Sequence, residues 1–276
     1  MSENPRFKIH KPSNLQNPSL LVGWSQDISK LGPRVIDYLN KKLGAEEFGE
    51  IEPEGFSSFG GVQIEDNVIQ FPENKFYSCQ KNNLLIFKSN PPRYEHYKFL
   101  NSVLDFAQHC GKVNELYTLG GIVSLMSHTA PRRILTVVNQ PESKEILARH
   151  GLETGMDYES PHGQMPSLNG FLLWLAKRRN ITGVNLWAEV PFYLAAVEDL
   201  KAIKYTLGFL NKRFELNLDF GDLDLKIRQQ NEKVKQLTEQ NLEVNKYIEM
   251  LERGIMLSED ENEELTKEMT KFLEGG

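Results

Sequence analysis

Leu20-Leu21-Val22-Gly23-Trp24 decides the class of fold. Five consecutive uncharged residues are too few for a helix and enough for a buried strand. Ser25-Gln26-Asp27 follows as turn or cap. Val35, Ile36, Leu39 and Leu43 then recur at helical spacing up to Gly44, a glycine placed to end a helix. A buried strand feeding an amphipathic helix is the unit of a layered α/β domain.

The same alternation continues outward. Phe48–Glu52, Gly61–Phe71 and Phe76–Gln80 alternate apolar with polar residues between Gly, Pro and Asn turns, which predicts antiparallel or edge strands. Leu84–Lys88 is a second buried strand, and Tyr94–Cys110 carries Tyr97, Leu100, Val103, Leu104 and Ala107 on one helical face. Leu116–Leu119 is a strand running into Gly120-Gly121, and Arg133–Val138 is another. A helix follows Pro141 and ends at Gly151; an apolar helix spans Leu168–Arg179. Gly183–Val190 is a strand broken by Pro191, and Asp199–Phe214 is an amphipathic helix. The expectation is an α/β domain with a mixed sheet over residues 20–214, preceded by an extension over 1–19.

The remainder differs in kind. Residues 215–276 hold 16 Asp and Glu against 8 Lys and Arg, whereas positions 1–214 hold 22 against 24. Leu223, Ile227, Gln230, Val234, Leu237, Asn241, Val244, Ile248, Leu251 and Ile255 alternate spacings of four and three, a heptad seam. A continuous helix over 220–253 would be about 50 Å long. Gly254 weakens it, and Ser258-Glu-Asp-Glu261 has the capping-box pattern for a new helix, so an acidic helical hairpin is predicted over 215–276. Ile227, Val234, Leu237, Asn241, Val244, Ile248 and Leu251 are its candidate oligomer or partner interface, the alternative being packing on the body of the same chain. Asn241 would be a polar core residue that sets register.

Composition excludes several classes. The chain has 276 residues, 39% hydrophobic and 25% charged, which is ordinary for a soluble globular protein. Its longest apolar runs, such as Phe171–Ala176, fall far short of the roughly 20 residues that span a bilayer, and no signal-like stretch follows the polar N-terminus. The cytoplasm is the expected compartment. There is no basic stripe for nucleic acid. Cys79 and Cys110 are too few for a disulfide framework or a Cys-rich zinc site, and the six histidines have no ligand spacing, so neither metal nor cofactor is expected. Cys110 reads as structural, because a thiol near a helix end is not activated.

Five short motifs then occur in order: Leu20–Trp24 with Gly32; Leu116-Tyr-Thr-Leu-Gly-Gly121; His128-x-x-Pro131-Arg132-Arg133; Gly163 through Asn169-Gly170; and Leu186-Trp-Ala-Glu189-Val-Pro191-x-Tyr193. Together they resemble the proteasome assembly chaperone 2 family over about residues 20 to 272. The resemblance implies a three-layer α/β/α core of phosphorylase/hydrolase-like type, homo-oligomerisation, and a non-enzymatic chaperone role toward proteasome α-subunits. A trimer or tetramer is expected, with α-subunits or another protein as partner. The family's hydrophobic-Tyr-X tail has no counterpart in Phe272-Leu-Glu-Gly-Gly276, which puts docking by that route in doubt. An ATP-grasp-like label sometimes applied to the family finds neither a glycine-rich phosphate loop nor a carboxylate cluster here.

The competing expectation is a small-ligand protein or enzyme using a cleft at the strand ends, walled by Gly120, Gly121, His162, Asn169 and Glu189. Gly120-Gly121 would be a tight turn, or less favourably an anion site between strand and helix. His128 and His162 read as loop histidines. Glu189 could bond loop backbone, hold a ligand or act as a base. Asp27 reads as a cap or turn residue.

Overall fold

The computed structural model describes residues 7–11, 14–57, 63–65, 67–70, 72–152, 154–157, 159 and 166–275. Leu20–Trp24 lies in β2 (Ser19–Trp24), preceded by β1 (Phe7–Ile9) within the N-terminal stretch. Then come α1 (Leu31–Leu43), β3 (Glu46–Ile51), β4 (Gln63–Glu65), β5 (Val68–Gln70), β6 (Asn74–Cys79), β7 (Leu84–Ser89), α2 (His96–Gly111) and β8 (Glu115–Ser124). The chain continues through β9 (Ile134–Val138), α3 (Ser143–Arg149), α4 (Leu168–Arg178), β10 (Thr182–Pro191) and α5 (Leu200–Arg213). It closes with α6 (Gly221–Gln240), α7 (Leu242–Glu252) and α8 (Glu259–Glu274).

Eight strands form one sheet in the order β1-β3-β6-β7-β2-β8-β10-β9, and β4-β5 is a separate antiparallel pair. β2 lies parallel between β7 and β8, with Leu20 opposite Leu85 and Leu116. From β7 outward the pairing through β6, β3 and β1 is antiparallel. The sheet is mixed, as the alternating strands foretold. The chain forms two compact units: the described residues up to Gln26 with Gly32–Leu119 and Thr136–Leu186, and Asp27–Leu31 with Gly120–Leu135 and Trp187 onward.

In the first unit the two faces of β2 go to different helices, because successive side chains alternate. Leu20, Val22 and Trp24 join Phe76, Leu85 and Phe87 in a core with α2 and α4, including Phe99, Val103, Leu172 and Leu175. Phe106 on α2 stacks on Phe76 with ring centroids 3.7 Å apart, and Phe7 and Phe48 meet it edge-on at 5.2 and 5.3 Å. Gly23 points the other way, toward Ile36 of α1. Helices therefore cover both faces of the sheet.

In the second unit α5 to α8 pack on one another. The long helix expected over 220–253 is divided, because Asn241 takes an extended conformation and accepts from the Glu243 and Val244 N–H groups as the N-cap of α7. A residue expected as a polar core position is thus a cap that stops one helix and starts the next. Ser258 and Glu261 form the reciprocal capping box that opens α8. Among the described residues no helix is long and apolar enough to cross a membrane.

A Cβ on Gly23 would lie 2.6 Å from Ile36 Cδ1 and 3.0 Å from the Gly32 carbonyl oxygen. Gly23→Ala is therefore expected to cost about 1–3 kcal/mol by overpacking, read as a lower urea midpoint at unchanged m-value.

Candidate functional site

At the β2 end of the first unit four side chains are linked in a line of hydrogen bonds. A buried indole N–H requires an acceptor; Trp24 Nε1 donates to Asn169 Oδ1 at 2.6 Å. Asn169, in the first turn of α4, donates from Nδ2 to Asn185 Oδ1 at 3.3 Å, and the Thr118 hydroxyl donates to the same oxygen at 2.9 Å. Four residues from β2, α4, β10 and β8 thereby satisfy one another in a buried position. Asn169, expected as a cleft wall, ties the start of α4 to the strands. Ser167 fixes that start by accepting from the Gly170 N–H at 3.1 Å.

In the second unit Gly120 and Gly121 lie inside β8, which continues to Ser124, so the expected tight turn between strand and helix is absent. The Gly121 N–H donates to Asp27 Oδ1 at 3.1 Å, and a Cβ there would sit 2.9 Å from the Ile28 carbonyl oxygen. The glycine admits a crossing backbone. Glu189 is not a backbone cap: the Arg133 guanidinium grips it through Nε at 2.6 Å and Nη2 at 2.8 Å, and the Ser124 hydroxyl adds a contact at 3.3 Å. The bidentate fork suits an Arg–carboxylate pair. His162 lies outside the described residues.

A second network in this unit is more deeply buried. Arg132 and Asp199 side chains are 2% and 1% exposed, with Nε donating to Oδ2 at 2.7 Å. Arg132 also donates to the Ala130 carbonyl at 2.7 Å. Asp199 caps α5 by accepting from the Lys201 and Ala202 N–H groups, and its own N–H donates to Ser29 Oγ. The Tyr193 oxygen accepts from the His128 N–H and lies 3.0 Å from His128 Nδ1. Lys201 Nζ donates to the His128 carbonyl at 2.8 Å. Glu252 on α7 accepts from Thr129 at 2.8 Å and Ser127 at 3.4 Å, so the whole 127–132 loop is held. His128, Arg132 and Tyr193 stand within the short motifs that carry the resemblance, but no spacing in the sequence signals that they converge.

Burial, reinforced by Lys201 and Arg132 and opposed by Glu252, lowers the His128 pKa to about 4. Burial raises Tyr193 and lowers Lys201. Burial, rather than the helix end, pushes the Cys110 thiol up to about 12, away from the reactive thiolate. Among the described residues no group of three or more His, Cys, Asp or Glu could hold a metal ion.

The heptad seam is mostly interior to the chain. Leu223, Val234, Leu237, Val244, Ile248 and Leu251 are buried, and Ile227 and Asn241 are half-buried. Gln230 is a clamp: Nε2 donates to the Glu198 carbonyl at 2.6 Å, and Oε1 accepts from the Leu200 N–H. The Tyr247 hydroxyl donates to Glu264 at 2.9 Å, joining α7 to α8, and Lys204 pairs with Asp224 between α5 and α6.

Removing one partner of a buried ion pair strands the other charge, so Asp199→Ala is expected to lower unfolding free energy by about 3–5 kcal/mol. Asp199→Asn, which keeps an oxygen for the cap, should cost less in the same denaturant titration. The folded-state pKa of His128 lies below the ordinary 6.5, so the unfolded chain takes up the proton first as pH falls. The histidine imposes no penalty above pH 6.5; the penalty grows down to about pH 4, reaching about 3 kcal/mol. His128→Gln should flatten the loss of stability between those values. A pH profile parallel to that of the unsubstituted protein would contradict this.

No curated protein matches the chain by sequence. Among solved structures, PbaB of Pyrococcus furiosus, described as an archaeal proteasome activator, is 24% identical with a TM-score of 0.70, over 84% of this chain and 97% of its own. The Mycobacterium tuberculosis protein Rv2714, of unknown function, is 16% identical with a TM-score of 0.78, over 92% of each chain. Rv2125 of the same organism, described as a proteasome-assembly chaperone homologue, is 17% identical with a TM-score of 0.69, over 83% of this chain and 99% of its own. These likenesses establish the fold, and none of them supports an ATP-grasp label. The PAC2 family model matches residues 20–238, most of a chain whose mixed sheet carries helices on both faces, and the chain belongs to the PAC2 family.

Proposed function

We propose that this chain is a non-enzymatic, protein-binding chaperone homologue that acts as a homo-oligomer, with proteasome α-subunits or a related protein as its client. The observation that carries this reading is the state of the polar groups at the strand ends. Asn169 is bonded to Trp24 and Asn185, the Gly121 amide to Asp27, and Glu189 to Arg133. An active site keeps such groups aimed at a reacting atom; here they are spent on one another. The descriptions of PbaB and Rv2125 supply the kind of client. The seam residues Ile227, Val234, Leu237, Asn241, Val244, Ile248 and Leu251 give the tail its shape, and contact with a second copy falls to the residues that the tail leaves exposed.

Light scattering of the intact protein should give a multiple of 31.7 kDa. The immobilised protein should retain free α-type subunits of its own organism's 20S proteasome. A mass of one chain at micromolar concentration overturns the oligomer. Failure to retain the subunits, or a genome that encodes none, overturns the client.

A further inference from the structure

Two surfaces of the chain complement each other in chemistry and are both open to solvent. The first is the outer seam of α2 and α4. These helices run in parallel, since Tyr97 meets Phe171 with ring centroids 6.2 Å apart, and Asp105 pairs with Arg179 at 2.6 Å two turns further on. Along this seam Tyr97 is 54% and Trp174 48% exposed. Phe171 lies against Trp174 at 5.7 Å, and the Arg178 guanidinium stands 5.0 Å from the Trp174 ring. Lys177 adds a second exposed cation with no carboxylate partner among the described residues. The face is aromatic with a positive rim.

The second surface is the turn between α7 and α8. Gly254, with φ +71°, lets the chain reverse, and Ile255 and Met256 project into solvent at 47% and 73% exposure. Carboxylates follow at once: Glu259, Asp260 and Glu263 are exposed and have no cation partner among the described residues. Two apolar side chains beside a run of negative charge match an aromatic face with a positive rim. Methionine sulfur packs well on aromatic rings, and each carboxylate gains from a cation at the rim.

We propose that the α7–α8 turn of one copy docks on the α2/α4 aromatic face of the next, a head-to-tail contact between different surfaces. The proposal rests on the self-association argued above and gives it a geometry. Heterologous contacts of this kind close into rings when the rotation permits.

The test uses two full-length variants, Trp174→Glu on the helix face and the double change Ile255→Ser with Met256→Asp in the turn, each followed by light scattering. Both should raise the dissociation constant at least tenfold and bring the mass toward that of one chain. Mixed in equal amounts they should form a 1:1 heterodimer, because one copy keeps an intact turn and the other an intact face. That rescue also shows that neither variant is misfolded. If both variants keep the mass of the unsubstituted protein, the contact lies elsewhere and this inference fails while self-association stands. If the mixture remains monomeric, the head-to-tail pairing fails. If the unsubstituted protein is itself monomeric, the underlying reading fails first.

Discussion

Arg132 and Asp199 are withdrawn from water almost completely, and much of the second unit is arranged to make that tolerable. A buried charge survives only when paired and hydrogen-bonded on its remaining sides. Arg132 finds the Ala130 carbonyl; Asp199 finds the first amides of α5. The Ser29 hydroxyl, which accepts from the Asp199 N–H, sits in a turn where Ser29 and Lys30 both have positive φ. Such non-glycine conformations cost of order 1–3 kcal/mol each and persist only when their surroundings fix them. One ion pair thus joins a strained turn, the 127–132 loop and the start of a helix into a single cooperative piece.

The polar residues at the strand ends are likewise bonded to one another. Ligands of open α/β sheets bind outside the carboxyl ends of the strands. In this chain the corresponding groups hold secondary structure together: Trp24 with Asn169, Asp27 with Gly121, Arg133 with Glu189. Large apolar side chains such as Tyr97, Trp174, Ile255 and Met256 stand exposed on the surface.

The layered architecture was legible because each buried strand of the first unit is locally encoded. Leu20–Trp24 and Leu84–Lys88 carry few polar residues, and their helices follow with clean periodicity. The caps were legible for the same reason: Ser258 with Glu261 is a short-range pattern. The break at Asn241 was not, because the apolar spacing of four and three continues through it, and a cap looks like a seam position when only periodicity is counted. Glu189 and Arg133 stand 56 residues apart, and Arg132 and Asp199 stand 67 apart. Pairings at that separation are set by strand order, which a single sequence does not spell out. Gly120-Gly121 misled because glycine suits a turn and a backbone crossing equally; the approach of Ile28 decides between them.

The two cysteines, finally, bear on the conditions under which this protein can work. Both are free and buried, and the Cys110 thiol is held near a pKa of about 12. Only the thiolate attacks oxidants and disulfides, so at neutral pH Cys110 presents roughly a thousandth of the reactive form of an ordinary thiol, before its burial is considered. Cys79 donates its S–H to Asn82 inside the same unit. With both thiols enclosed in the first unit, an oxidant reaches either one only after that unit opens.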